Sequence, residues 1–212
     1  MIYRVYDEDG RFVAEGVGGP QCWQPLHIHG CHFRLLIIWD GKTLCREIGT
    51  TLDAACEAAK LKVMAGNMPE GEAKEATMKR LDLWASLTKD PALRSNLDMM
   101  LNEAMTECEE ALYALQYRGI DNHMSIDNMD HDRAEWATEL WLPRIMSQNS
   151  AWAIMRAVNQ YMQCKTIATW SQEMLGEASE MYAAKADQQM TILRSVVKHR
   201  NAGTVERREG WI

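Results

Sequence analysis

This 212-residue chain has no apolar run long enough to cross a bilayer. The longest, 'FRLLIIW' from Phe33 to Trp39, falls far short of the roughly 20 residues a membrane helix needs, so no membrane contact is expected. The opening 'MIYRVYDEDG' lacks the charged, apolar and small-residue succession of a signal peptide, and none is expected. Internal repeats and low-complexity segments are also missing. So is a phosphate-cradling loop, because 'GVGGP' has no Lys-Ser/Thr after it and does not open at once into a helix. The six cysteines at 22, 31, 45, 56, 108 and 164 are scattered rather than framed. Cys56, Cys108 and Cys164 stand where small apolar residues would in helical patterns, which predicts reduced thiols in a cytosolic product. Basic charge is short as well: the net charge is −7, which disfavours general nucleic-acid binding through phosphate neutralisation. Phenylalanine is scarce, with two residues against 15 methionines and eight tryptophans. An excess of unbranched thioethers points to adaptable packing surfaces.

What is present suffices for a sizeable core. Hydrophobic residues make up 47% and charged residues 25%, a globular balance. The chain reads as an α+β protein in three parts: a small sheet-plus-helix unit over 1–66, a helical bundle over 67–198, and an extended basic arm over 199–212. In the first part, 'IYRVYDEDGRFVAEGVGG' alternates around Asp9-Gly10, a strong hairpin signal. 'CHFRLLIIWDGKTLCREIG' repeats the pattern with Asp40-Gly41 as the expected turn. Thr50 or Thr51 would then cap a helix through Leu52, Ala55, Cys56, Ala59 and Val63 that Gly66 stops. These readings give four strands and one helix before residue 66.

Beyond 'NMPEGEAKE' the apolar period changes from two to about 3.6. Met78, Leu81, Trp84 and Leu87 share one face. In the next helix Asp90 caps, Pro91 takes the first turn, and Gly119 closes the far end, with Leu97, Leu101, Met105, Cys108, Leu112 and Leu115 as the stripe. That helix would be ~40 Å long at 1.5 Å per residue. Asp132 is expected to start a short helix carrying Trp136 and Leu140, which Pro143 ends or breaks. A further helix carries Trp152, Met155, Val158 and Met162. The last is expected from about Thr166 to Lys198, and its stripe is narrow enough to suggest a helix covered by a neighbouring subunit.

Three places invite chemistry. 'CWQPLHIHGCH' gathers Cys22, Cys31, His27, His29 and His32, all ligand types that zinc accepts. No second ligand pair stands at finger-like spacing, so no metal and no cofactor are expected. 'DNMDHD' clusters carboxylates, but a calcium loop needs a central Gly and a twelfth-position Glu that are out of register, and Asp132 as a helix cap explains the cluster. A cysteine nucleophile such as Cys31 with His123 or His131 has no local signature. The chain is therefore not expected to be an enzyme.

From Arg194 to Ile212 the charge is +3, leaving −10 to the rest. Such asymmetry marks a contact arm or a solvated terminus. The elements from 'ALRSNLDMMLNEAMTECEEALYALQYRGID' through 'LPRIMSQNSAWAIMRAVNQYM' to 'EMLGEASEMYAAKADQQMTILRSVV' resemble the head-to-tail adaptors of short-tailed bacteriophages. The likeness covers about residues 91–212 and rests on a long helix ending at Gly119-Ile120, Leu142-Pro143 before an Ala-rich helix, and a last helix leading to an arm. It implies a ring, usually of twelve copies, that sits between the portal protein and the tail nozzle or fibre proteins. The ring would extend the DNA channel without binding DNA specifically, assembling in the host cytoplasm and ending in the virion. Under it, Arg200, Arg207, Arg208 and Trp211 would contact the portal. The unit at residues 1–65 is not a feature of that family. It is similar instead to the arm-type DNA-binding domains of phage integrases, with Arg4, Arg11, Arg34, Lys42 and Arg46 as contacts. That gives a second expectation, sequence-specific DNA binding. A third is a small metalloenzyme built on His27, His29 and Cys31.

Overall fold

The computed structural model describes residues 1–17, 30–66, 71–85, 91–115, 135–144, 146, 148–172 and 177–202. The first hairpin forms as its sequence predicts. Strands β1 (Ile2–Asp7) and β2 (Phe12–Val17) pair antiparallel, with Arg4 opposite Glu15 and Val5 opposite Ala14. The turn is held by Asp7, whose carboxylate accepts the Arg11 N–H at 2.7 Å. Gly10 adopts φ +80°, the left-handed region that a residue without Cβ enters at least cost. A second glycine matters for space: a Cβ at Gly16 would lie 2.3 Å from the Tyr3 hydroxyl.

β3 (His32–Asp40) pairs with the other side of β1. The expected second hairpin at Asp40-Gly41 does not form. Helix α1 (Gly41–Ala65) begins there instead, and Asp40 is its N-cap, accepting the N–H groups of Lys42 and Thr43 at 3.3 and 3.0 Å. Asp-Gly serves either a turn or a helix start, and the following residues decide between them. Leu44, Cys45, Ile48 and Leu52 recur at helical spacing and are all buried, so the helix begins ten residues before the expected cap. Thr50 and Thr51 are interior residues that donate their hydroxyls to the carbonyls of Arg46 and Glu47, each at 2.9 Å. Gly66 does end the helix, its N–H reaching the Lys62 carbonyl at 2.8 Å.

The fourth strand does not come from the first 66 residues. β4 (Glu135–Pro143) pairs antiparallel with β3 along its length, from Asp40 opposite Glu135 to His32 opposite Pro143, giving the order β2-β1-β3-β4. A helix was expected here, within the helical bundle expected over 67–198. Trp136 and Leu140 stand four apart, a spacing that fits both periods, but Trp136, Thr138, Leu140 and Leu142 are all buried and alternate with half-buried neighbours. Period two wins because β3 offers a full ladder. Pro143 falls at the end of an edge strand, where a missing N–H is tolerated.

One face of this sheet is dry. Tyr3, Val5, Phe33, Leu35, Ile37 and Trp39 point to it with the alternate residues of β4, and the same buried cluster runs on into the helices as far as Leu193. The expected boundary near residue 66 thus separates two runs of sequence but not two cores. Helix α2 (Glu72–Ala85) packs on α1 and buries Leu81. Helix α3 (Pro91–Leu112) continues as a 3-10 turn at Tyr113–Leu115, and Leu97, Leu101, Met105, Cys108, Leu112 and Leu115 are all buried as the stripe predicts. At 1.5 Å per residue the α-helical part is ~33 Å long. Asp90 and Gly119, its expected ends, lie outside the described residues. The Trp136 indole N–H donates to Asn102 Oδ1 at 2.8 Å, fastening β4 to α3.

Helix α4 (Gln148–Ser171) runs past Thr166, where a new helix was expected, and α5 (Glu177–Ala202) follows it. Gly176, the weakest helix former after proline, lies between them. The Ser179 hydroxyl donates to the Ala168 carbonyl at 3.0 Å, tying the two helices together. Among the described residues the fold is α+β: a four-stranded antiparallel sheet with five helices, whose buried residues join those of the sheet's apolar face in one core.

Candidate functional site

The residues singled out for partner contact lie at and beyond the end of α5. This helix runs mainly along α4, with a lesser contact to α3. Among its described side chains Ser179, Ala186, Met190 and Leu193 are buried, and Tyr182, Ile192, Val196 and Val197 pack half-buried beside them. Met181, Arg194 and Lys198 face solvent. Arg200 belongs to the helix by its backbone, whereas the Arg200 side chain and all of Arg207, Arg208 and Trp211 lie outside what the structure describes. Residues 199–202 are therefore helical rather than part of an extended arm. This redistributes the basic charge. Arg194, Lys198 and Arg200 sit in the last turns of α5, where cations complement the partial negative charge of a helix C-terminus. Residues 203–212 carry Arg207 and Arg208 against Glu206 and Glu209, and so are balanced.

The five cations proposed to read DNA do not share one surface. Arg4 and Arg34 lie on the polar face of the sheet, but each is bonded to a carboxylate. Arg4 Nε meets Glu15 at 2.7 Å and Arg34 Nε bonds Glu139 across the β3–β4 ladder. Arg11 is in the hairpin turn, and Lys42 and Arg46 are exposed on α1. The same sheet face carries aromatic pairs. The Arg34 guanidinium lies 5.6 Å from the Tyr6 ring centroid, Tyr6 meets Phe12 edge-on at 5.9 Å, and His32 stacks on Trp141 at 5.4 Å.

Of the proposed zinc ligands, His27 and His29 lie outside the described residues. Cys31 is exposed, with its N–H bonded to the Glu8 carboxylate at 2.7 Å, and the His32 ring is committed to Trp141. Among the described residues no group of three His, Cys, Asp or Glu is placed to hold a metal ion. The buried thiols are poor nucleophiles, because the thiolate is the reactive form. Burial pushes Cys56 up to about 11 and raises Cys108 and Cys164 as well. The carboxylates of 'DNMDHD' lie outside the described residues.

A charged cluster that sequence reading missed joins α3, α4 and α5. The Tyr161 hydroxyl donates to the Glu107 carboxylate, and Lys165 Nζ reaches the other oxygen at 3.0 Å. Burial raises the pKa of Glu107, but the bonds from Tyr161 and Lys165, with Arg194 nearby, outweigh it and leave the carboxyl below its ordinary value. Tyr161 is pushed up by burial and by that same carboxylate. A protonated phenol and an ionised carboxylate, each holding the other, make a brace between helices rather than an acid-base pair. Three elements remote in sequence supply it, so no local motif announces it.

No family model, no curated protein and no solved structure matches this chain.

Proposed function

We propose that this chain is a non-catalytic assembly protein of the head-to-tail adaptor kind, forming a ring between the portal and tail of a short-tailed bacteriophage. The observation that carries the reading is α5. Its inner face packs on α4, its outer positions Met181, Lys185, Gln188, Arg194 and Lys198 are exposed, and in sequence it leads to a terminal segment with Arg207, Arg208 and Trp211. An exposed outer face on so long a helix leaves room for a second chain on that side. Aromatic and arginine side chains are the residue types that dominate interface energies. The acidic balance of the body suits a channel through which DNA slides without sticking. The portal, further copies of this chain, and a tail nozzle or fibre protein are the partners this reading requires. It needs no cofactor.

The test is native mass spectrometry of the purified chain with and without a portal ring. The expected result is a monomer alone and a closed ring of copies, twelve by analogy with the family, on the portal. A chain that ignores the portal and instead binds duplex DNA with a steep salt dependence would overturn the reading.

A further inference from the structure

A cavity of about 290 Å3 lies where β3 ends, between one face of α1 and one face of α4. From α1 it takes Asp40, Thr43, Leu44 and Glu47, spaced i, i+3, i+4 and i+7. Trp152, Arg156, Asn159 and Gln160 come from α4 at i, i+4, i+7 and i+8. These spacings place each set on one side of its helix. Trp39, the last buried residue of β3, forms another part of the wall.

Two features of this cavity are unexplained by folding. Trp39 is 1% exposed, and its indole N–H is buried with no acceptor. Native interiors rarely leave such a donor unpaired, and each instance calls for a reason. The contrast with Trp136 is direct, since that buried indole has Asn102. Arg156 is the second feature, an exposed guanidinium on the lining that forms no ion pair among the described residues. Both acidic side chains of the lining are already engaged. Asp40 caps α1, and Glu47 accepts the Gln163 amide. The unused group on the open lining is therefore a donor, the Arg156 guanidinium, with the amides of Asn159 and Gln160 beside it, while the Trp39 N–H lies behind the surface. The apolar part of the wall is Met1 and Trp152, with the buried Trp39 and Leu44 behind them.

We propose that this cavity binds a small planar aromatic carboxylate. Its ring would lie against Trp152 and Met1, and its carboxylate would take the forked donors of Arg156. A guanidinium and a carboxylate match in geometry as well as charge. The volume is at the small end of ligand sites and fits a one- or two-ring molecule. A ring-forming adaptor and a monomer could each carry this site.

The test uses the full chain and calorimetric titration with three probes: benzoate, its neutral isostere benzamide, and acetate. Benzoate is expected to bind saturably and at least tenfold more tightly than either of the others. Arg156→Ala should remove the preference of acid over amide, while its unchanged melting temperature reports an intact fold. Arg156→Lys should restore the preference in part, since a point charge lacks the bidentate fork. Equal binding of benzoate and benzamide would overturn the carboxylate assignment, and equal binding of benzoate and acetate would overturn the aromatic one. Absence of saturable benzoate binding to the unaltered chain at millimolar concentration would overturn the site itself.

Discussion

Leu140 offers the sharpest test of how residues 135–143 are used. It is fully buried on β4 and sits opposite Leu35 of β3, which is equally buried. Truncating it to alanine removes three carbons from a core with contacts on the strand side and the helix side. Buried Leu→Ala changes cost about 2–5 kcal/mol, the spread reflecting how far the site collapses. Sheet neighbours cannot collapse without breaking the ladder, so the upper half of that range is expected, about 3–5 kcal/mol. For a chain of this size a kcal/mol moves the melting temperature by roughly 2–4 °C, which predicts a fall on the order of 10 °C. Leu61 is the matched control, the same residue type at 66% exposure on α1, and its change to alanine should stay within about 0.5 kcal/mol. Urea unfolding followed by circular dichroism and by tryptophan fluorescence would measure both variants. The β4 assignment would be refuted if Leu140→Ala cost no more than Leu61→Ala.

Three further outcomes are expected. Asp40→Ala should cost about 1 kcal/mol by removing the α1 cap, whereas Asp40→Asn should cost less. Bonding from Thr43 holds the Asp40 carboxyl below its ordinary value near 3.8, so its contribution is present above that pH and is lost as pH falls through the lower folded value. Acid titration of stability should accordingly be shallower in Asp40→Asn than in the unaltered chain. Gly16→Ala should lower stability by about 1–3 kcal/mol through overpacking. Tyr3→Phe should not rescue it, because the ring carbon Cζ is itself 2.4 Å from the added Cβ. Deleting residues 203–212 should leave the melting temperature nearly unchanged and abolish portal binding, with Trp211→Ala reproducing much of the loss and Arg207→Lys a smaller part. A large fall in melting temperature on that deletion would instead show the segment packing on its own chain.

Where one period dominated, the sequence was readable. The α3 stripe from Leu97 to Leu115 admits only a helix, and Asp9-Gly10 between alternating flanks reads as a hairpin, and both are present. The errors fell where a local signal served two structures. Asp40-Gly41 is both a turn and a cap-plus-first-residue pair, and its outcome depended on Leu44, Ile48 and Leu52 further on. Trp136 and Leu140 satisfy both periods at a spacing of four, and β3 made the choice from a hundred residues away. Tertiary context overrides local preference in such cases. Sites were less readable still. The Tyr161–Glu107–Lys165 brace and the cavity at Trp39 each combine elements that the chain keeps far apart, and their members look like ordinary core and surface residues in isolation. The tail could be read only in part, because its basic character belongs chiefly to the last turns of α5.

The late arrival of β4 also sets a timetable. Asp40 and Glu135 are paired across 94 intervening residues, and His32 and Pro143 across 110. At a synthesis rate of about 5–20 residues per second, roughly 5–20 s pass between the emergence of β3 and that of its outer neighbour. During that interval β1, β2 and β3 can assemble with α1, but the free edge of β3 presents Phe33, Leu35 and Ile37 beside unpaired backbone amides. An open hydrophobic edge is a template for pairing with another nascent chain. The same long closure that completes the sheet thus makes crowded translation, rather than the finished fold, the stage at which this protein is most exposed to aggregation.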